Sequence, residues 1–333
     1  MGNIDVSRLD WVDQVKGFTI FLVVYGHNFP FCEKFIYNFH MPLFIIIAGF
    51  FHHPISSKIN LHKRFKTIII PYFFWGFTLY AIWYFFGRHY GESVAFNLSP
   101  IKNLVGVFYA QGDRSFMDWG IPMWFLPAIF MTYLIHFLIN KLTSSLLKNA
   151  VLFLIPIVGF LYTRNFDINL PWSINIAFVA FFFYCFGSYF FKKISDLNTK
   201  YSIIIMILCF ILNLTFYDKN IKIDMYRAIY GNEFYFLLNG LTGSIFFLLF
   251  FKTVPYFKLL SFIGKFSLLI LVLQLVSLSF IKLMLLKVFN QSDFSFSELE
   301  KFLFAIIQII LLVPVFLIIN NFFPILNGGY KKI

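Results

Sequence analysis

Residues 13–49 read DQVKGFTIFLVVYGHNFPFCEKFIYNFHMPLFIIIAG, two apolar segments joined by a short turn, with two histidines among aliphatic and aromatic neighbours. Lys16 and His27 are eleven positions apart. At about 100° per residue, eleven steps end roughly 20° past three full turns, so both side chains share one helix face. The rise of about 1.5 Å per residue separates them by roughly 16 Å along that face. Asp13 lies within roughly 60° of the same line. Ionisable groups at membrane depth are costly and face a bundle interior or a watered cavity, which makes this face a candidate site.

The chain of 333 residues is 60% hydrophobic, 23% aromatic and only 13% charged, with mean hydropathy +0.79. So few charges cannot cover a water-facing globule of this size, which points to an all-α, polytopic transmembrane bundle. Ten apolar segments reach or nearly reach bilayer length: 12–29, 35–51, 67–86, 121–140, 150–162, 172–191, 201–217, 234–251, 266–286 and 302–323. The fifth is the weakest, because Pro156 and Gly159 interrupt it. Asp5, Asp10 and Asp13 break the positive flank of a would-be leader, and no small-residue cleavage site follows, so the first segment reads as a retained span. No internal repeat or second domain is visible. Residues 1–333 read as one membrane domain without the paired halves of many transporters. Cys32, Cys185 and Cys209 are an odd number and read as core filler, with no metal set.

With the N-terminus inside, the inner segments carry Arg8, Lys16, Lys58, Lys63, Arg64, Lys66, Lys141, Lys148, Lys192, Lys193, Lys200, Lys252, Lys258, Lys265, Lys331 and Lys332. Against these sixteen bases stand four acids, Asp5, Asp10, Asp13 and Asp196, while the outer segments balance at eleven and eleven. The whole formal charge of +12 therefore sits on one side, which places both termini in the cytoplasm. Topology explains the basic excess, so nucleic acid is not an expected partner. The outer loops 87–120, 218–233 and 287–301 are long, and residues 101–109 form an apolar stretch suited to the membrane interface.

Each constellation has two readings. Lys16 with Asp13 is an interfacial ion pair anchoring the first helix, or part of a site. His27 and His40 face each other at similar depth. They form a polar pair that fixes packing, or they supply a general base. Lys63, Arg64 and Lys66 at the start of the third span are positive-inside decoration, or a clamp for donor phosphates. Pro71 implies a kink of the kind that borders cavities. His52, His53, His62, His89 and His136 show no metal-ligand spacing and read as interfacial or solvated.

Several motifs, taken together and in order, resemble acyltransferase family 3, the integral-membrane sugar O-acyltransferases, most of all its fucose 4-O-acetylase branch. The signature is a basic residue, ten residues and a histidine, here Lys16 to His27 within RLDWVDQVKGFTIFLVVYGH (8–27). FHMPLF (39–44), MWFLP (123–127), PWS (171–173), FYCFG (183–187), IDM (223–225), YGN (230–232) and IGKFS (263–267) follow. The chain departs from the pattern at Thr67, where a second arginine is usual, at Ala48, where Ser precedes the glycine, and at Gln274, where a histidine often stands.

The resemblance implies transfer of an acyl group, usually acetyl, from cytoplasmic acyl-coenzyme A to a sugar hydroxyl of a surface polysaccharide or its lipid-linked precursor. The enzyme would sit in the cytoplasmic membrane and use acetyl-coenzyme A as co-substrate, with no metal. His27 would be the base, with Lys16 and Asp13 beneath it. Lys63, Arg64 and Lys66 would hold the donor, and His40, Trp124, Asp224, Asn232 and Gln274 would serve the acceptor. Two rival classes remain, a non-catalytic glycan or lipid transporter and a structural or sensory membrane protein. The first predicts flux that survives loss of His27, and the second predicts no donor binding.

Overall fold

The computed structural model describes residues 10–51, 58–288, 290 and 294–329, and for 58–60 the backbone alone. Asp5, Arg8, His52, His53, Lys331 and Lys332 of the reading above lie outside the described residues. In chain order come α1 (Asp10–Gly26), α2 (Glu33–Tyr37), α3 (His40–Phe50), α4 (Lys58–Arg64) and α5 (Ile70–Phe85). The short α6 (Gly91–Ala95), α7 (Pro100–Tyr109) and α8 (Arg114–Met117) build the loop before α9 (Phe125–Ile139), α10 (Ser145–Asn165) and α11 (Ile174–Asp196). After α12 (Thr199–Phe216) and α13 (Glu233–Thr253) the chain ends with α14 (Lys258–Lys265), α15 (Ser267–Val288) and α16 (Glu298–Phe322). Among the described residues the only β pairing is an isolated bridge, Asp224 with Ile229.

Eight helices are long and apolar enough to cross a membrane by length and composition. They fall on eight of the ten apolar segments read from the sequence. The first two segments make shorter helices, α1 of 17 residues and α3 of 11. At about 1.5 Å per residue these span roughly 25 and 16 Å, less than a hydrocarbon core of about 30 Å. The turn around Pro30 ends one, and the break at Asn38 and Phe39 delays the other, so of the ten segments read as crossing or nearly crossing, eight form helices of full spanning length among the described residues. The fifth segment, expected to be the weakest, is a continuous 21-residue helix, α10, that runs straight through Pro156.

α1 is the central pillar. Val12, Val15 and Leu22 join one half of the core with α3, α9, α11 and α13. Ile20, Val23 and Val24 join the other half with α5, α15 and α16. A helix used on all sides must be apolar all round, which is what the segment's composition provides. By contrast, only 11% of the apolar stretch of α10 and 17% of that of α12 are buried, so these helices lie at the rim.

Two glycine contacts set the closest crossings. A Cβ on Gly17 would sit 1.9 Å from the Leu260 carbonyl oxygen, and one on Gly264 would sit 1.9 Å from that of Asp13, which fixes α1 against α14. A Cβ on Gly49 would meet the Tyr184 oxygen at 2.2 Å, and one on Gly187 the Ile46 oxygen at 2.1 Å, which fixes α3 against α11. Small residues at such crossings let backbones approach in a membrane, where apolar burial alone gives little drive. The IGKFS and FYCFG motifs thus have a packing reason.

Pro71 does not kink a continuous α-helix. A π turn, Phe65–Ile69, joins α4 to α5, and the Ile70 amide reaches back to the Phe65 carbonyl. Proline has no N–H for the carbonyl four residues earlier, that of Thr67, and the wider turn accommodates the gap. The apolar 101–109 stretch is α7, held to its neighbours by Tyr72 Oη donating to the Val107 carbonyl at 2.8 Å and Trp119 Nε1 donating to that of Asn103 at 3.0 Å.

Candidate active site

His27 closes the last turn of α1. Its amide donates to the Val23 carbonyl at 3.2 Å, and its ring Nδ1 lies 2.7 Å from the same oxygen. A carbonyl only accepts, so Nδ1 carries the proton and Nε2 keeps its lone pair. His40, the first residue of α3, repeats the arrangement, with Nδ1 2.8 Å from the Ile36 carbonyl. Both imidazoles are therefore held in the tautomer whose Nε2 can take a proton. One backbone contact, made twice, sets the chemistry.

The surroundings hold these rings in place. Phe29 adopts a left-handed φ of 54°, which turns the chain out of α1. Asn28 donates to the Lys301 carbonyl at 3.2 Å and accepts from Gln308 Nε2 at 3.0 Å, tying this end of α1 to α16. Tyr37 packs over Gly26, where a Cβ would come within 2.9 Å of its ring. The same ring stands edge-on to His40 at 4.9 Å between centroids.

A cavity of about 60 Å³ collects His27, His40, Tyr37, Trp124, Asp224 and Tyr226, with aliphatic side chains between them. That is room for a few waters. Trp124 ends the 3₁₀ turn Ile121–Trp124 and is backed by Gly112, where φ is 78° and a Cβ would sit 2.9 Å from Trp124 Cβ. Asp224 opens a tight hairpin. It exchanges both backbone hydrogen bonds with Ile229, and Ala228 takes the left-handed turn position at φ 57°. Ile223 and Met225 on either side are buried and anchor it. The IDM motif is thus a wedge that sets one carboxylate into the cavity wall.

The carboxylate of Asp224 is 14% exposed and lies 3.8 Å from Arg227 Nε. Burial pushes its carboxyl up to about 6; Arg227 and Lys222 pull the other way, and Glu33 adds to the rise. Glu33 itself pairs with Lys222 at 2.8 Å, and the ammonium of Lys222 lies 5.2 Å over the Tyr37 ring. Tyr37, Tyr226 and the Glu33–Lys222 pair are not among the candidate residues that the sequence singles out. The available signal was spacing, since Tyr37 is one turn before His40 and Tyr226 two residues after Asp224.

The remaining expected site residues fall elsewhere or play other parts. Gln274, 1% exposed on α15, faces the His27 ring and donates to the Leu271 carbonyl at 3.3 Å. Asn232 is a helix cap. Its side chain accepts the Tyr235 amide at 3.2 Å, while Asn220 clasps its backbone from both sides, and it does not line the cavity. Lys16 is 3.5 Å from Asp13 and lies 4.8 Å over the Phe51 ring, three turns of α1 away from His27. Asp13 is 3% exposed and the Lys16 side chain 14%, so the pair is partly buried.

The basic triad divides. Lys63 and Lys66 line a groove of about 410 Å³ with His62, Thr67, Ile325 and Gly329. Arg64 turns the other way, donating to the Phe51 carbonyl at 2.9 Å and stacking 5.5 Å from the Tyr133 ring. A helix presents successive residues about 100° apart, and a π turn begins at the next residue, so three neighbours cannot serve one face. His62 and His89 are exposed, as expected. His136 is not solvated: it is buried on α9, with Asn140 Nδ2 2.9 Å from its Nδ1 and the Tyr184 ring 5.4 Å away. Among the described residues no three His, Cys, Asp or Glu side chains gather to hold a metal ion.

No curated protein and no solved structure shows a significant match to this chain. Residues 9–321, nearly the whole length, match the acyltransferase domain of acyltransferase family 3. The chain belongs to that family of membrane acyltransferases.

Proposed function

We propose that the protein is an O-acyltransferase of the cytoplasmic membrane, moving an acetyl group from cytoplasmic acetyl-coenzyme A to a hydroxyl of a surface-polysaccharide sugar or its lipid-linked precursor. The observation that carries this reading is the pair of imidazoles whose Nδ1–H is committed to a carbonyl, leaving Nε2 basic, in one cavity with Trp124 and Asp224. His27 Nε2 takes the hydroxyl proton as the oxygen attacks the thioester carbonyl. The C–S bond breaks, the new C–O ester forms, and the proton passes to the departing sulfur. His40 and Trp124 line the acceptor side, and Asp224 accepts hydrogen bonds from the sugar. Gln274, beside His27, orients the ring rather than exchanging protons.

The donor fits the other end of the bundle. Lys63 and Lys66 present two ammonium groups beside an otherwise apolar groove, a combination suited to phosphates and a greasy arm. Arg64 and the Asp13–Lys16 pair then hold the frame between the two ends. The groove and the His27 cavity share no lining residue, so this reading requires the bundle to open between them when the donor binds. The test is transfer of labelled acetyl from coenzyme A to glycan in membranes containing the protein. Hydrolysis of the glycan fraction and mass analysis of the acetylated sugar then identify the acceptor. A protein that carries glycan across the membrane without transferring label refutes the enzyme reading.

A further inference from the structure

Among the described residues, Asp224 is the one acidic or basic side chain, histidines aside, that lines the His27 cavity. The cations nearest to it are already committed. Lys222 is held by Glu33 at 2.8 Å and lies over the ring of Tyr37. Arg227 lies 3.8 Å from Asp224 itself, with its guanidinium 5.1 Å from the centre of the Tyr226 ring. Further out, Lys34 is held by Asp218 at 2.5 Å. An anion entering here meets a carboxylate in the wall and finds each neighbouring cation occupied by one. An uncharged guest meets something different. Tyr37, Trp124 and Tyr226 offer rings to the C–H faces of a sugar, and a carboxylate accepts hydrogen bonds from its hydroxyls.

We infer that the acceptor is a neutral or amino sugar, and that Asp224 both orients it through its hydroxyls and excludes uronic and sialic acids. The inference rests on the acyltransferase reading only in taking a sugar as the guest. An ionised Asp224 facing a second carboxylate is the repulsive element that specificity requires. Burial already makes that charge costly to hold, with the carboxyl pushed up to about 6, so the pairing with a uronate is worse still.

Octyl β-glucoside and octyl β-glucuronide differ only at C6 and test this directly. The rise in melting temperature of the protein, solubilised in a detergent without a sugar headgroup, is followed as each glycoside is titrated at pH 8, a readout that needs no turnover. The glucuronide should need at least about tenfold more for half-saturation. Asp224→Asn should bring the two curves within about twofold. Glu33→Gln leaves Asp224 in place, releases Lys222, and should improve the glucuronide selectively. Equal curves in the native protein, a preference for the glucuronide, or a ratio that neither variant moves would overturn the assignment. A protein that responds to neither glycoside would overturn it as well. Transfer of labelled acetyl to the same pair is measured alongside. Discrimination in binding with no transfer would refute the acyltransferase reading alone.

Discussion

Replacing His27 by Gln removes proton exchange while disturbing little else. Glutamine has similar volume and an amide N–H that can reach a carbonyl, but it cannot accept and release a proton near pH 7. The Val23 oxygen that bonds the ring also accepts the His27 backbone amide at 3.2 Å, so losing the ring leaves no orphan acceptor. The end of α1 keeps its ties through Asn28 to Lys301 and Gln308. The fold should therefore survive, and the loss should fall on the chemistry. A general base contributes about 10²–10⁴ in rate, which is about 2.7–5.4 kcal/mol of barrier. The assay is transfer of labelled acyl groups from coenzyme A to glycan in membranes, with the amount of each variant checked by blot. His40→Gln should fall by less, because His40 meets the acceptor without taking its proton. A His27→Gln protein present at the normal level and transferring near the normal rate would falsify the base assignment. His40 would then be the candidate, and the pH profiles of the two single variants would decide between them.

Four further outcomes are expected. Lys63→Ala with Lys66→Ala should raise the KM for acetyl-coenzyme A by roughly one to four decades, since each lost charge-assisted hydrogen bond costs about 1.5–3 kcal/mol and the two are not additive. Arg64→Ala should instead lower stability, and unchanged donor KM in the double variant would make the lysines mere topology anchors. Reporter fusions after Lys141 should read cytoplasmic and fusions near Asp113 and Asp224 external; a cytoplasmic reading at Asp113 would refute the orientation. Asp224 titrates near 6 when folded against 3.8 in its unperturbed state, so its contribution to stability is full below pH 4 and is lost as pH rises through 6. Asp224→Asn should therefore be more stable than the native protein at pH 8, by up to about 3 kcal/mol less what solvent at the mouth screens, seen as a higher melting temperature, with the difference gone at pH 4. A variant that is less stable at pH 8 would show that Arg227 outweighs burial.

How much of this was legible in the sequence depends on the kind of contact involved. Helical periodicity marks His27 as a group on an apolar helix face, and the short turn brings His40 to the same depth. Both readings follow from spacing alone. What spacing cannot give is the tautomer, because that depends on the Nδ1 contact to a carbonyl one turn back. The basic triad shows the limit from the other side. Composition groups Lys63, Arg64 and Lys66, and helix geometry separates them. The YGN motif points to Asn232 as a site residue, yet it is conspicuous for a different reason: Gly231 takes φ 61° against Asn220, which clasps the following helix start. The hairpin that delivers Asp224 is hardest to read, since Ala228 gives no turn signal of the glycine kind.

The two walls of the cavity are held by different contacts, and this bears on how firmly His27 is set before a guest arrives. On one side stands α1, whose closest neighbour approaches at Gly17 and Gly264 with no room for a methyl group, and whose end is tied to α16 through Asn28 and Gln308. Moving it would break packing in both halves of the core at once. On the other side is the hairpin from Asp224 to Ile229. Its outward links to α2 are Lys222–Glu33 and, through the preceding segment, Lys34–Asp218. Partly exposed ion pairs of this kind contribute about 0–1 kcal/mol each, and salt screens them. Those pairs add little, so the hairpin is held chiefly by Ile223 and Met225, buried in the same half of the core as Val12, Val15 and Leu22 of α1, and by Asn169 Nδ2 donating to the Tyr226 carbonyl at 3.1 Å. His27's contact to Val23 is made within the last turn of α1 and shares no bond with the hairpin, so the proton acceptor is already set when the acceptor hydroxyl arrives.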